Sequence, residues 1–298
     1  MLNAVERKIE QFIAELNDEH SNTLYKQIPQ GKRLRAKLIL LVSNSSKFAV
    51  ETSAVVEMIH AASLLHDDVI DNAYIRRNKP SINAKYGNKS AIMLGDILYS
   101  KGFYELNNIN TDVSKVISNA VIQLSLGEQS DVVMAKEFNS NRDNYIKMIY
   151  QKTASLIEAS AEAGAILANK DREIYKTYGK NIGIAFQMID DILDITSSSD
   201  TLGKPAMHDF KEGKTTLPYI YLYHKLNDSD KSKLISFHTK ELNNDELDWL
   251  LNKFKEHNII QFCYNEAKEL VKEASILMSK EGEESLLKIA KDMIDRDF

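Results

Sequence analysis

Four prolines and eleven glycines punctuate 298 residues, and that scarcity of breakers limits the open folds more than any other feature. Proline lacks an N–H donor and glycine supplies the positive φ of tight turns, so a chain with many short strands needs more of both. Long helices remain. Val5, Ile9, Phe12, Ile13 and Leu16 recur on one stripe of a helix predicted over 1–20. Similar spacing predicts helices over 33–48, 50–72, 90–109, 113–136, 143–169, 172–197 and 215–226, with shorter charged ones over 228–295. Pro29, Pro80, Pro205 and Pro218 fall in or near the connections. No segment alternates convincingly as a strand, and no linker or repeat divides the chain. The expectation is an all-α fold of ten or more helices in a single domain over 1–298.

Charge and cysteine content exclude several classes. The net charge of −5 implies no overall basic face, so nucleic acid is not an expected partner. One cysteine, Cys263, rules out an intramolecular disulfide and a cysteine metal cluster. Residues 1–7 lack the apolar core of a secretory signal, and no run of eighteen apolar residues occurs. The expectation is a cytoplasmic protein without a transmembrane segment.

Two acidic motifs stand out. Asp67-Asp68-Val69-Ile70-Asp71 and Asp190-Asp191-Ile192-Leu193-Asp194 both read D-D-x-x-D, each at the end of an apolar helical pattern. The first and last aspartates are four apart and share a helix face; the middle one is three from the last. Like charges so close repel unless a cation is present. Carboxylate oxygens suit Mg²⁺, which keeps waters and is completed by substrate phosphates. His60 lies two turns before Asp67, and Gln187 lies on the stripe leading to the second motif.

Basic clusters accompany the acidic ones: Gly31-Lys32-Arg33-Leu34-Arg35, Arg76-Arg77, Lys152-Thr153, Gly203-Lys204 and Gly213-Lys214-Thr215-Thr216-Leu217-Pro218. Arginine and lysine suit phosphate oxygens. Two acidic and several basic clusters point to two phosphorylated ligands, one held through Mg²⁺ and the other by cationic side chains directly.

With these motifs, and with His60-Ala61-Ala62-Ser63-Leu64-Leu65-His66, Leu94-Gly95-Asp96 and Phe186-Gln187-Met188-Ile189, the chain resembles the trans-isoprenyl diphosphate synthases, or polyprenyl synthetases, over residues 28–224. The resemblance implies a single-domain isoprenoid-synthase-type helical bundle around a deep central cavity, assembled as a homodimer. It implies that Asp67, Asp68, Asp71, Asp190, Asp191 and Asp194 hold Mg²⁺, three ions per active site, on an allylic diphosphate. Arg76, Lys152, Lys204 and Lys214 would neutralise that diphosphate, with Thr153 and Gln187 hydrogen-bonding beside it. Lys32, Arg35, His60 and Arg77 would bind isopentenyl diphosphate without metal. The pattern departs from the family at Gln30 and Ala36, where glycine and proline are frequent, and at Met207, where glycine is common.

The implied reaction ionises the allylic diphosphate, joins the cation to isopentenyl diphosphate, and loses a proton. Small residues five and four positions before Asp67, Ala62 and Ser63, imply room for a long tail. The product would be a long-chain polyprenyl diphosphate, destined for quinone side chains and handed to a membrane. A short-chain farnesyl or geranylgeranyl diphosphate synthase is the alternative. A terpene cyclase needs no isopentenyl diphosphate site, and a non-catalytic subunit of a heteromeric synthase usually loses its aspartates.

Overall fold

The structure, a computed structural model, is described over residues 1–44, 46–196 and 207–294. It is all-α apart from one two-stranded hairpin among the described residues. Its contacts divide into two compact units, Met1–Leu124 with Leu156–Gly179, and Ser125–Ser155 with Lys180–Phe298. No linker marks this division because each crossing falls within helical sequence.

The first unit opens with α1 (Leu2–Ala14), whose stripe of Val5, Ile9, Phe12 and Ile13 is buried. Asn17 then takes a left-handed backbone and Asp18 caps a separate helix, α2 (Glu19–Tyr25), by accepting the Ser21 N–H at 2.7 Å. The single helix predicted over 1–20 is thus two. After α3 (Leu34–Val42) comes α4 (Ala49–Ile70), buried on nearly every side and therefore central. Strands β1 (Ile75–Arg76) and β2 (Lys79–Pro80) pair antiparallel, with Ile75 opposite Pro80. Arg77 and Asn78 between them both have positive φ, as a tight two-residue hairpin turn needs. Strands of two residues are too short to alternate, which is why the sequence does not announce them. Helices α5 (Ile82–Tyr86) and α6 (Asn88–Leu106) follow, and α6 packs along α4.

Helix α7 (Thr111–Met134) leads to α8 (Arg142–Ile149), capped by Asn141. A π-helical turn, Tyr150–Ala154, separates α8 from α9 (Ser155–Leu167). Such wide turns are rare and recur at functional sites. Helix α10 (Arg172–Thr196) ends the long helices. The second unit continues with α11 (His208–Lys211), α12 (Leu217–Lys225), α13 (Asp228–Phe237), α14 (Asn244–Glu256), α15 (Ile259–Lys280) and α16 (Glu284–Ile294). Asn243 and Glu246 form a reciprocal capping box on α14, and Pro218 stands in the first turn of α12. Phe210 and Tyr219 stack at 4.0 Å in this unit's core, and α15 packs on α16. Among the described residues, no helix is long and apolar enough to cross a membrane.

Candidate active site

In the first unit, α4 delivers Asp67, Asp68 and Asp71 at its C-terminal end. Asp71 is the C-cap residue, and its N–H bonds the Asp67 carbonyl at 2.8 Å. Carboxylates there face the negative end of the helix dipole as well as each other, so the arrangement costs stability until a cation arrives. Asp67 and Asp71 are half-buried, one turn apart. Asp68, expected as a metal ligand, is paired here with Arg76. Successive helical residues point about 100° apart, and Asp68 is turned inward, 3% exposed. Its Oδ1 accepts from Arg76 Nε at 2.7 Å and pairs with Nη2 at 2.6 Å. Arg76, expected on the diphosphate, is therefore engaged by Asp68; the hairpin presents it there.

Arg35, His60 and Arg77 form a cationic neighbourhood, with Arg33 and Arg76 close enough to act on it. Burial, then Arg35, Arg77, Arg76 and Arg33, push the His60 imidazole well below its ordinary range, so it is neutral near pH 7. Burial pushes Arg35 down to about 10; Glu57 opposes the shift and Arg77 adds to it. Arg35 Nε is buried without a hydrogen-bond partner. Arg77 Nη1 donates to the Pro29 carbonyl at 2.6 Å. Its guanidinium lies against Gly31, where an added Cβ would sit 2.6 Å from Nη2, so only glycine leaves Arg77 this position. Lys32 is exposed beside it. Neighbouring like charges with one buried, unsatisfied donor suit an anion.

Ala62 and Ser63 differ in setting. Ala62 is fully enclosed in the core around α4, whereas Ser63 is half-buried and donates to the His60 carbonyl at 2.9 Å. Ser63 is four residues before Asp67 and shares its helix face; Ala62, five before, does not. Of the two residues expected beside the tail, Ala62 is closed within the core and Ser63 lies on the Asp67 face.

The second unit repeats the division in burial. Asp190 and Asp194 on α10 are half-buried, while Asp191 is 3% exposed. Asp191 Oδ2 accepts from the Tyr145 hydroxyl at 2.5 Å and Oδ1 from Gln187 Nε2 at 2.8 Å. Burial, then Asp209, raises its pKa well above the carboxylate range, though Tyr145 and Gln187 pull the other way. Like Asp68, Asp191, also expected as a metal ligand, is a buried acceptor here. Thr153 Oγ1 donates to Gln187 Oε1 at 2.8 Å, so the two residues expected together do meet.

Lys152 projects from the π-helical turn. Its Nζ lies 2.6 Å from Asp131 and 2.8 Å from Glu128. Burial alone would lower its pKa, but Asp131 and Glu128 outweigh that and hold the ammonium above the usual lysine range; Lys214 nearby opposes them. Lys214 Nζ itself sits 2.9 Å from Glu212. The close approach at this turn requires Gly127, where a Cβ would lie 2.3 Å from the Lys152 backbone nitrogen. Lys204 lies outside the described residues. Sequence reasoning missed Glu57, Tyr145, Glu128 and Asp131, all buried or at helix contacts, because nothing in a lone carboxylate's spacing reveals a distant partner.

Among the described residues no three His, Cys, Asp or Glu side chains gather into a metal cage. The half-buried carboxylates of Asp67, Asp71, Asp190 and Asp194 are still the right donor type for Mg²⁺, which binds through one or two carboxylates and takes its remaining ligands from water and phosphate.

The polyprenyl synthetase family profile matches residues 18–254. A prenyl transferase of Cyanidium caldarium is 37% identical over 288 residues, covering 90% of this chain and 87% of its own. The crystal structure of octaprenyl pyrophosphate synthase from Helicobacter pylori superposes with a TM-score of 0.94 at 44% identity, covering 99% of this chain and 98% of that one. A polyprenyl synthase from Caulobacter crescentus, solved with calcium and isoprenyl diphosphate, has a TM-score of 0.88 at 26% identity, covering 99% and 94%. The fold is thus the all-α isoprenoid synthase fold, and the chain belongs to the polyprenyl synthetase family, as a prenyltransferase.

Proposed function

We propose that the protein elongates an allylic diphosphate with isopentenyl diphosphate in trans and releases a long-chain polyprenyl diphosphate. The observation that carries this reading is the placing of half-buried Arg35, with its buried and unsatisfied Nε, beside exposed Arg77 and neutral His60. A terpene cyclase has no use for a second, metal-free anion site. The long product is supported by the similarity to the Helicobacter pylori octaprenyl synthase, and a short-chain product is the second reading.

In this proposal Lys32, Arg35 and Arg77 grip the diphosphate of isopentenyl diphosphate, and neutral His60 hydrogen-bonds beside them. Asp67, Asp71, Asp190 and Asp194 hold Mg²⁺, and the calcium in the Caulobacter crescentus synthase supports a divalent ion. When bound, Mg²⁺ neutralises charge on the allylic diphosphate and eases its departure. Lys152 and Lys214 stabilise the same developing charge. The allylic C–O bond breaks, the isopentenyl double bond attacks the resulting carbocation, and a C–C bond forms. A proton from the isopentenyl unit passes to the released diphosphate, leaving a new double bond. Water has to be kept from the cation, which it would quench. A homodimer, a cytoplasmic location, quinone side chains as destination and a single functional domain belong to the same proposal.

The test is product analysis with Mg²⁺, farnesyl diphosphate and labelled isopentenyl diphosphate, followed by chromatography of the dephosphorylated products. A ladder closing on one long polyprenol is the expected result. Products ending at twenty carbons select the short-chain reading, and no incorporation by folded protein refutes the synthase reading.

A further inference from the structure

Glu57 is a buried carboxylate, 3% exposed, on α4, three residues before His60. None of the steps above uses it. Its two oxygens do different work. Oε1 accepts the backbone N–H of Ala36 at 3.0 Å, and Oε2 accepts from Arg33 Nη1 at 3.2 Å. Arg33 is the N-cap residue of α3, where it has left-handed backbone, φ 53°, and its side chain makes no capping bond. An arginine gains nothing from that conformation, and the four first N–H groups of a helix need acceptors. Glu57 supplies one from another helix, at the third position of α3. Glu6 of α1 completes the clamp by accepting from Arg33 Nε at 2.6 Å and Nη2 at 3.0 Å.

The clamp sits between two residues of the cationic neighbourhood. Lys32 precedes the left-handed corner and Arg35 follows it by two. Turning that corner to an ordinary backbone would redirect both. Arg33, although it lies in the same basic run, is therefore consumed by Glu6 and Glu57, and its charge is met by theirs.

We infer that Glu57 is a positioning residue for the diphosphate of isopentenyl diphosphate: it holds the start of α3 so that Lys32 and Arg35 point at the ligand. This rests on the assignment of that neighbourhood to isopentenyl diphosphate. Glu57 touches no reacting atom and acts through the backbone of Ala36, the side chain of Arg33 and its attraction to the Arg35 guanidinium.

The experiment is steady-state kinetics of Glu57→Ala, Glu57→Asp, Glu57→Gln and Arg35→Ala beside the unaltered protein, varying isopentenyl diphosphate and farnesyl diphosphate separately. Glu57→Ala is expected to raise KM for isopentenyl diphosphate about tenfold, the loss of one helix-capping acceptor and one ion-pair partner, while KM for farnesyl diphosphate stays within about twofold. Glu57→Gln keeps a carbonyl for the Ala36 N–H and should restore most of that loss. A merely structural role lowers the amount of active enzyme, hence kcat, and moves neither KM. Should Glu57→Ala not fold, Glu57→Asp withdraws the carboxylate by one methylene and is expected to shift the same KM in the same direction. An unmoved isopentenyl diphosphate KM in the folded variants, an equal rise in both KM values, or tighter binding in Glu57→Gln overturns the inference. Arg35→Ala separates the two layers. If it too leaves the isopentenyl diphosphate KM unchanged, the assignment of the site itself fails; if it raises that KM and the Glu57 variants do not, only the positioning role fails.

Discussion

Gly127→Ala probes the contact on which Lys152 depends. The added Cβ would lie 2.3 Å from the Lys152 backbone nitrogen and 2.7 Å from both the Gln151 carbonyl carbon and the Lys152 Cα, where ordinary contact begins near 3.4 Å. All three atoms are backbone, so no rotamer change relieves the clash. Either α7 or the π-helical turn must move by about 1 Å to restore van der Waals distance. Overpacking of this kind costs about 1–3 kcal/mol, and with no side chain able to yield the value should fall near the top of that range. The displaced turn carries Lys152 and Thr153, so catalysis should suffer separately from stability. A misplacement of about 1 Å can cost on the order of 100-fold in rate. Urea unfolding followed by circular dichroism gives the first quantity, and kcat for isopentenyl incorporation at a temperature where the variant is fully folded gives the second. A variant with unchanged unfolding midpoint and unchanged kcat would refute the view that this glycine exists to admit the π-helical turn.

Three further outcomes follow from the same geometry. Ser63→Phe, on the half-buried face shared with Asp67, should shorten the product ladder, whereas Ala62→Phe in the closed core should cost about 1–3 kcal/mol; chromatography and melting on both variants separate the two. His60 has a folded pKa below its unfolded value, so between those two values the unfolded chain holds a proton that the folded chain does not. Stability should therefore fall as pH drops below about 6.5, and His60→Gln should flatten that part of the unfolding profile; an equally steep profile in the variant speaks against the assignment. Chelating divalent ions should abolish turnover yet leave the melting temperature nearly unchanged, because the metal donors need phosphate to complete the site; a large melting shift on chelation would indicate a protein-only cage.

Legibility in the sequence followed the range of the interactions. The stripe of α1 and the apolar length of α4 are local periodicities, and both became buried surfaces. The pairing of Thr153 with Gln187 was legible because each motif had already been marked. The left-handed corner at Arg33, the two-residue turn at Arg77 and Asn78, and the π-helical turn at Lys152 were not. Two of them are set by a partner far along the chain, Glu57 for the first and Gly127 for the last; the middle one is a local turn between strands too short to show a period. Composition hides such features because arginine and lysine carry no backbone signal. The Lys152 ammonium shows the consequence, since its two carboxylate partners sit on α7, more than twenty residues upstream.

The aspartate motifs divide in the same way in both units: the first and last members are half-buried and the second is buried. Asp68 is neutralised by Arg76, a cation, whereas Asp191 accepts from the neutral donors Tyr145 and Gln187. Tyr145→Phe therefore separates a structural aspartate from a metal ligand. Deleting the hydroxyl leaves a buried carboxylate oxygen without its donor, at a cost of about 1–3 kcal/mol. It also removes one of the two bonds that pull the Asp191 pKa down, so the folded-state value rises further above the unfolded one. An acid raised in this way is most stabilising when protonated in both states, and that contribution is lost as pH rises, so the deficit of Tyr145→Phe should be larger at neutral pH than near pH 4. The Mg²⁺ concentration giving half-maximal turnover should stay where it is, because Asp190 and Asp194 are untouched. A severalfold shift in Mg²⁺ dependence with no loss of stability would mean that Asp191 turns outward to the metal after all.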